Sequence, residues 1–349
     1  MTSQTDTNLV GRPTLTSTLL VLAGVLAFAC LLSVVSGVVR IPFSQGLLSI
    51  FDQIFRANTS SLSDYQQAVL WELRLPRTLL AVIVGCLLAQ CGAVMQGLFR
   101  NPLADPGIIG VSAGAAVGAV AAIYFSPPAF TWWTVPLGAF AAGLLCSFLI
   151  YRLAKGTLGT SVLVLILAGI AVSALAGSFI GLITYIADDT RLRDLTLWQM
   201  GSLAAADPTR VWLGLIVAII LAIRFQKRAA ALNALLLGES EARHLGIHVE
   251  QLKRELILLV ALGVGLAVAC AGIIGFVGLI VPHIVRTLYG PDHRALLPLC
   301  ALGGGLLLLI ADLGSRLLIQ PAELPVGLLT ALLGAPFFIA LLLQMKGRI

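Results

Sequence analysis

Long apolar stretches separated by short polar segments run along almost the whole chain. A helix needs about 20 predominantly apolar residues to cross the ~30 Å hydrocarbon layer of a membrane, and ten stretches approach that length. The pattern therefore predicts an all-α polytopic membrane protein with about ten transmembrane helices in a single integral-membrane domain, residues 1–349. The predicted spans cover approximately residues 15–38, 77–99, 107–125, 130–151, 161–186, 208–226, 254–272, 273–289, 295–318 and 326–345.

The composition of the chain supports the same class. Of the 349 residues, 59% are hydrophobic and only 11% are charged, which is too little charge to cover a soluble protein of this length. A transmembrane β-barrel is disfavoured because its strands are shorter and alternate between apolar and polar residues. The first apolar run has no clear cleavage site, so we expect a retained span and no removed signal peptide. The seventh and eighth stretches nearly merge, and their boundary is the least well defined.

The distribution of basic residues predicts the orientation in the membrane. With ten spans and an internal N-terminus, 14 of the 22 Lys and Arg residues fall in cytoplasmic loops and tails. Both termini are therefore predicted to be cytoplasmic. The same asymmetry accounts for the net charge of +6, so nucleic acid is not needed as a partner.

The largest predicted cytoplasmic loop is a charged island, Arg224 to Glu255, between spans six and seven. Within it, the segment 237–247 predicts two short helical pieces around a glycine, which permits a turn that a side chain would obstruct. Such a helix can lie along the membrane and enter a groove on a partner, and a solvated loop is the alternative. The sequence has no Gly-x-x-x-x-Gly-Lys-Ser/Thr segment, so a nucleotide-driven motor would have to be a separate protein.

Five segments carry a resemblance to a known family. In order and in spacing they resemble the permease subunits of type II ABC importers for iron chelates, haem and cobalamin, the FecCD family, and the resemblance extends over nearly the whole chain. The segments are residues 73–79, 92–107, 237–246, 275–286 and 323–327.

This resemblance implies a transport subunit and no enzyme. It implies a homodimer around one central path in the bacterial inner membrane, with ten spans per subunit. The implied partners are two ATP-binding cassette subunits, which use ATP and Mg²⁺, and a periplasmic substrate-binding protein. The chain itself is expected to bind no cofactor and no metal, and the transported substrate would be haem or another iron chelate.

The resemblance also assigns residues to the two partners. Arg74, Arg77 and Arg316 would receive acidic groups of the binding protein, since guanidinium groups bind carboxylates bidentately and speed encounter. The alternative for these arginines is anchoring at the membrane interface. The coupling loop to the ATPase would span about residues 228–255. Its contact residues would be Gly238, Glu239, Glu241, Ala242, Leu245 and Gly246.

Small residues recur at helical spacing in two stripes. Such stripes let helix backbones approach closely in lipid, so packing is the first interpretation of each. The first stripe is Gly110, Gly114 and Gly118. The second stripe could instead line the translocation path; its members are Gly169, Ser173, Gly177 and Gly181.

The predicted outer segment 185–203 bears on the substrate. Its end, Trp-x-x-Gly-Ser-Leu, is general to the FecCD family, whereas Tyr185 and the charged residues 188–194 look most similar to haem-importing members. Haem is therefore the predicted substrate. A ferric siderophore or cobalamin remains the alternative, and so does a merely solvated outer turn.

Two unrelated functions are less well supported. An ion-coupled secondary transporter needs acidic residues inside the membrane, and only Asp312 qualifies. It lies one helical turn from Arg316, which predicts a local ion pair between the two. A membrane prenyltransferase could hold Mg²⁺ at Asp188 and Asp189, but no second aspartate-rich motif accompanies them. The six cysteines all fall in apolar spans without ligand spacing and are predicted to be packing residues.

Overall fold

The apolar stretches fold as helices in the computed structural model, which describes residues 14–57, 59–157 and 159–346. Ten of these helices coincide with the ten predicted spans, which confirms the all-α membrane fold. In chain order the helices are α1 (Leu15–Val35), α2 (Phe43–Phe55), α3 (Asp64–Ala68), α4 (Leu75–Phe99), α5 (Val111–Phe125), α6 (Thr131–Ala154), α7 (Val162–Ile186), α8 (Asp189–Gln199), α9 (Pro208–Leu236), α10 (Glu239–His244), α11 (Val249–Ala271), α12 (Val277–Tyr289), α13 (His293–Leu317) and α14 (Val326–Lys346).

Short irregular elements join several helices. A π-helical segment, Val69–Arg74, leads into α4, and 3-10 turns at Pro106–Ile109 and Pro128–Phe130 precede α5 and α6. Two short strands, β1 (Lys155–Gly156) and β2 (Gly159–Thr160), pair antiparallel between α6 and α7.

Seven helical segments of the described residues are long and apolar enough to cross a membrane, and they contain α1, α4, α6, α7, α9, α11 and α13. The other three predicted spans correspond to shorter apolar helices, α5, α12 and α14. These ten helices alternate in direction. For example, Ser33 near the end of α1 hydrogen-bonds Thr78 near the start of α4 (Oγ–Oγ1 2.7 Å). We call the end of the bundle with the start of α4 the arginine end, and the opposite end, where α9 enters the charged island, the island end.

Helix α4 lies at the centre of the bundle and packs against α9, α11, α12 and α13. Glycines allow its closest approaches. A side chain at Gly85 would collide with the backbone of Gly304 in α13, and one at Gly92 would collide with the backbone of Gly278 in α12. Backbone contact of this kind replaces hydrophobic attraction as the source of packing energy in lipid.

The first glycine stripe is a packing surface. A Cβ at Gly114 would meet the Ala142 carbonyl at 2.6 Å, and one at Gly118 would collide with the Gly138 backbone of α6. Gly110, where the chain turns with φ +74° into α5, lies against Ile150 and Cys146. The stripe therefore holds α5 on α6, as the packing interpretation requires.

The boundary between the seventh and eighth spans differs from the prediction. Residues 272–276 are not helical, so α11 ends at Ala271 and α12 begins only at Val277. Gly272 has φ +69°, and a Cβ there would collide with the Trp198 carbonyl, while the Ser202 amide donates to the Ala271 carbonyl at 2.8 Å. Because the break consists of apolar residues and glycine, hydropathy alone could not locate it.

The island also differs from the prediction. Helix α9 continues ten residues past the expected end at 226, and α11 begins at Val249, ahead of the expected 254. Only one short helix, α10, lies between them, whereas two were predicted. Residues of high helix propensity extend α9 and α11 beyond the apolar stretches, because helix propensity does not depend on burial in the membrane.

Candidate functional site

A buried ion cluster lies at the arginine end, where α4 and α13 meet. The Arg77 Nε donates to Asp312 Oδ1 at 2.9 Å, and its Nη1 donates to Glu323 Oε2 at 2.6 Å. Asp312 is completely buried, whereas the Glu323 side chain is 41% exposed. Arg77 therefore bridges one buried and one half-exposed carboxylate.

Arg316 completes this cluster from the last turn of α13. Its Nε lies 3.1 Å from Asp312 Oδ2, which confirms the local pair expected from their spacing. Its Nη2 donates to Ser33 Oγ at 2.6 Å, so the cluster also holds the end of α1. Asp312 is neutralised by two guanidinium groups. This arrangement does not resemble the available acid that an ion-coupled carrier needs.

Arg74 lies beside this cluster and has a different kind of partner. Its Nη1 donates to the Val35 carbonyl at 2.7 Å, and its Nη2 donates to the Val39 carbonyl. These carbonyls are at and just beyond the C-terminus of α1, where helices leave unpaired acceptors and favour positive charge. Gly37 leaves room for the guanidinium, since a Cβ there would lie 2.7 Å from Nη2.

The structure thus brings together the three arginines predicted to dock the binding protein, and it turns all three into the subunit. Arg74, Arg77 and Arg316 are 6%, 9% and 5% exposed. The accessible charge of the cluster is the carboxylate of Glu323. Docking at these arginines stays a prediction, and it requires the Arg77–Glu323 contact to open. Glu323 lies inside a recognised segment, but no local pattern indicates that its partner is Arg77.

At the island end, α10 forms an exposed elbow. Gly238 (φ +123°) and Gly246 (φ +81°) have backbone conformations that favour glycine, and they bracket the helix. Ala242 is fully buried beneath α10, while Glu241 and Gly246 are exposed. Leu245 is 63% exposed. Of the six residues predicted to contact the ATPase, Ala242 packs α10 against the bundle, and Leu245 has an exposed apolar side chain.

A buried lysine underlies this elbow. Lys253, in the second turn of α11, is 3% exposed, and its Nζ lies 2.7 Å from Glu239 Oε1 and 3.3 Å from Glu250 Oε1. The sequence marked Lys253 only as one of the basic residues of the predicted cytoplasmic side. Its burial depends on the folding of α10 over α11, which no local pattern reveals.

The second stripe of small residues, on α7, divides into two parts. Gly169 packs so closely on the Ile108 backbone that a Cβ would collide with the carbonyl. Ser173, Gly177 and Gly181 are exposed, and a Cβ at either Gly177 or Gly181 would meet nothing within 4 Å. Packing within the subunit therefore explains Gly169 and leaves the rest of the predicted path on an open face.

The segment with haem-importer features lies at the arginine end, beside a cleft of about 720 Å³. Asp188 caps α8, because its Oδ1 accepts a hydrogen bond from the Arg191 amide at 2.9 Å. The Arg191 guanidinium lies 4.9 Å from the ring centroid of Tyr124. Asp188 is thus engaged in a helix cap, and among the described residues no group of three His, Cys, Asp or Glu side chains is arranged to hold a metal.

The recognised segments meet in space at both ends of the bundle. At the island end, Arg286 Nη1 donates to Gln96 Oε1 at 2.9 Å, and Gln96 Nε2 donates to the Gly278 carbonyl at 3.2 Å. In the turn after α4, Asp105 Oδ1 accepts from the Gly107 amide at 2.7 Å, and burial raises the pKa of Asp105. At the arginine end, Arg77 and Glu323 join the first and the last segment.

All five segments lie within residues 25–344, which match a family model described as the FecCD transport family. The chain belongs to the FecCD transport family. The FecCD chain is 49% identical to the Hemin transport system permease protein HmuU of Yersinia pestis, over 83% of this chain and 87% of that protein. It is 43% identical to the Vitamin B12 import system permease protein BtuC of Salmonella typhi, over 81% and 86% of the two chains.

Solved structures agree with this assignment. The FecCD chain superposes with a TM-score of 0.82 on a metal-chelate type ABC transporter in an inward-facing conformation. The two are 32% identical, and the match covers 94% of this chain and 99% of the other. PsaBC from Streptococcus pneumoniae, at 16% identity and a TM-score of 0.54, shares the fold alone. The chain is therefore a membrane-embedded ABC transporter permease.

Proposed function

We propose that this chain is the transmembrane permease subunit of an ATP-driven importer in the inner membrane of a bacterium, and that it moves haem into the cytoplasm. The identity of 49% to a hemin transport permease carries the substrate assignment. The haem-importer features of residues 185–194 support it. The chain works as a homodimer with two ATP-binding cassette subunits and a periplasmic binding protein, and both termini are cytoplasmic.

The division of the bundle into two different ends supports an importer of this kind. The island end presents a short helix with an exposed apolar residue, Leu245, which suits a groove on a soluble ATPase. The arginine end presents a charged cluster, which suits an acidic partner outside the membrane. A transporter driven from one side and loaded from the other needs two such surfaces.

The binding protein docks over the cluster of Arg74, Arg77 and Arg316. An acidic group of that protein takes the place of Glu323 on Arg77 Nη1, because Glu323 is the half-exposed member of the pair. Exchange of one carboxylate for another keeps the guanidinium neutralised throughout, so docking avoids the cost of an unpaired buried charge.

The translocation path follows the exposed part of α7, where Ser173, Gly177 and Gly181 are exposed and a Cβ at either glycine would meet nothing within 4 Å. In the homodimer, two copies of this face would line the passage with small side chains. ATP binding closes the two ATPase subunits, the island transmits that movement, and the spans open alternately to the two sides.

Reconstitution tests the proposal. The permease is incorporated into liposomes with its ATPase subunit, the binding protein is added outside, and haem uptake is measured with ATP enclosed and with no ion gradient. Accumulation of haem that depends on ATP and on the binding protein is expected. Uptake by the permease alone under an ion gradient would instead indicate a secondary transporter.

Cobalamin is the second candidate substrate, because the chain is 43% identical to vitamin B12 permeases. A competition experiment separates the two in the same liposomes. Excess cobalamin or ferric siderophore should leave haem uptake unchanged if the path and the binding protein serve haem. ATP-dependent uptake of cobalamin without uptake of haem would show that cobalamin is the substrate.

A further inference from the structure

Lys253 has a polar environment that matches its three N–H groups. Its Nζ donates to the Thr160 carbonyl at 3.1 Å and to Glu250 Oε1 at 3.3 Å, and it pairs with Glu239 Oε1 at 2.7 Å. The side chain is 4% exposed. An ammonium group buried this deeply is held in one place, because every donor has a partner and the charge is neutralised.

The three partners belong to different parts of the chain. Glu239 is the first residue of α10, the proposed ATPase contact. Thr160 is the last residue of β2, and the next residue, Ser161, caps the N-terminus of α7. Glu250 strengthens the second connection, since its Oε2 accepts from both the amide and the hydroxyl of Thr160 at 2.8 Å.

Apart from these polar contacts, α10 and α7 pack against different helices. Helix α10 packs on α9 and α11, while α7 packs on α5 and α6. Lys253 and Glu250 in the first turns of α11 are the point at which polar contacts reach both. A chain of charge-assisted contacts, which are stronger than neutral ones, therefore connects Glu239 to Thr160.

We propose that Lys253 is a positioning residue that joins α10 to the start of α7, so that the ATPase-contact helix and the entrance of the path-lining helix move as one unit. This inference rests on the proposed function, in which α10 receives the movement of the ATPase and α7 lines the path. Without the ammonium group, the carboxylates of Glu239 and Glu250 repel each other, and the connection opens.

The first test is the amount of haem transported per ATP hydrolysed, measured with the complete complex in liposomes. Lys253→Met preserves most of the side-chain length and removes the charge, and we expect the ratio to fall about fivefold or more. The matched control is Glu255→Gln, two residues further along α11. Glu255 pairs with Arg224 at 2.8 Å and Arg228 at 2.6 Å, so it removes two ion pairs at the same end without touching Thr160.

The second test measures the connection directly. Spin labels are attached at Lys155→Cys in β1 and Ser240→Cys in α10, which are both exposed positions. They report the distance between the β1–β2 pair and α10 in a variant whose native cysteines have been replaced. With Lys253 present, the distribution of distances between the two labels should be narrow, and its mean should not change when ATP is added. With Lys253→Met, this distribution should broaden and its mean should change when nucleotide is added. Loss of a residue that only stabilised the fold would not make the distance depend on nucleotide.

The outcomes separate this inference from the proposed function. An unmutated complex that fails to transport haem with ATP refutes the function, yet the spin-label distances still test the connection. If the Lys253→Met complex keeps the original ratio of haem to ATP and a narrow distance distribution, the inference is overturned while the proposed function stands. If that variant does not assemble, Glu239→Gln is used; it removes the ion pair that joins Lys253 to α10. An unchanged distance distribution and an unchanged transport ratio in this variant would again overturn the inference.

Discussion

Arg77 and Asp312 lie 235 positions apart in the chain, and their side chains form an ion pair inside the bundle, with Nε 2.9 Å from Oδ1. This pair joins α4 to α13, and Arg316 shares the same carboxylate. A charged group at this depth is tolerated because groups of opposite charge neutralise it. The arginines predicted to recruit a partner protein therefore also hold the subunit together.

Loss of the shared carboxylate should destabilise the fold strongly. Asp312→Asn leaves Arg77 and Arg316 without their common negative partner, and breaking a buried pair from one side costs about 3–5 kcal/mol. We expect a clear fall in the unfolding temperature of the purified protein in detergent. The control is Glu323→Gln, whose half-exposed pair contributes about 1 kcal/mol or less. Equal unfolding temperatures for Asp312→Asn and the unchanged protein would contradict the structural role of this pair.

Glu323 should also regulate docking. Glu323→Gln frees Arg77 Nη1 for an acidic group of the binding protein, so affinity should rise by up to about fivefold, the equivalent of roughly 1 kcal/mol. The affinity of the binding protein for the surface-immobilised permease complex is measured at low and at high salt. Glu72→Gln is the matched control, because Glu72 is an exposed acid at the same end that has no contact with Arg77 among the described residues. Weaker binding of Glu323→Gln would show that this carboxylate assists docking.

Leu245 should contribute to assembly with the ATPase. Burial of a leucine side chain stabilises a contact by about 1.5–3 kcal/mol, so Leu245→Ala should weaken binding of the ATPase subunit about tenfold or more. Leu318→Ala is the control, since Leu318 is similarly exposed but lies at the arginine end. The amount of ATPase that co-purifies with each variant is measured across a concentration series. Identical retention by both variants would remove Leu245 from the interface.

The elbow itself depends on Gly246, where the backbone has φ +81° and a Cβ would find open space. Strain and not collision therefore decides the effect of a substitution. Gly246→Ala should cost about 1 kcal/mol, and the β-branched Gly246→Val should cost more and reduce haem-stimulated ATP hydrolysis further. Membrane insertion should be normal in both. Full stimulation with valine would show that the turn does not need this conformation.

The open glycines of α7 should be sensitive to size. Gly177→Leu fills space on the proposed path and should reduce haem uptake several-fold while leaving assembly with the ATPase intact. Gly24→Leu in α1 is the matched control, because that glycine also has no atom within 4 Å of a Cβ position. Equal uptake by the two variants would move the path away from this face of α7.

Much of the architecture follows from local properties of the sequence. Ten apolar stretches predicted ten helices, because the length and hydropathy of a span depend only on consecutive residues. The order and spacing of the five segments were sufficient to recognise the family, and the match over residues 25–344 confirms it. The helical spacing of Asp312 and Arg316 was sufficient to predict their pair.

What only the tertiary structure decided concerns contacts between distant helices. The pairing of Arg77 with Asp312 and Glu323, and the inward orientation of all three arginines, depend on how α4 rotates against α13. The burial of Lys253 depends on α10 lying over α11, and the break at 272–276 depends on the Trp198 backbone that passes beside Gly272. Hydropathy and helical spacing describe each segment by itself, whereas these interactions arise from packing between segments remote in the chain.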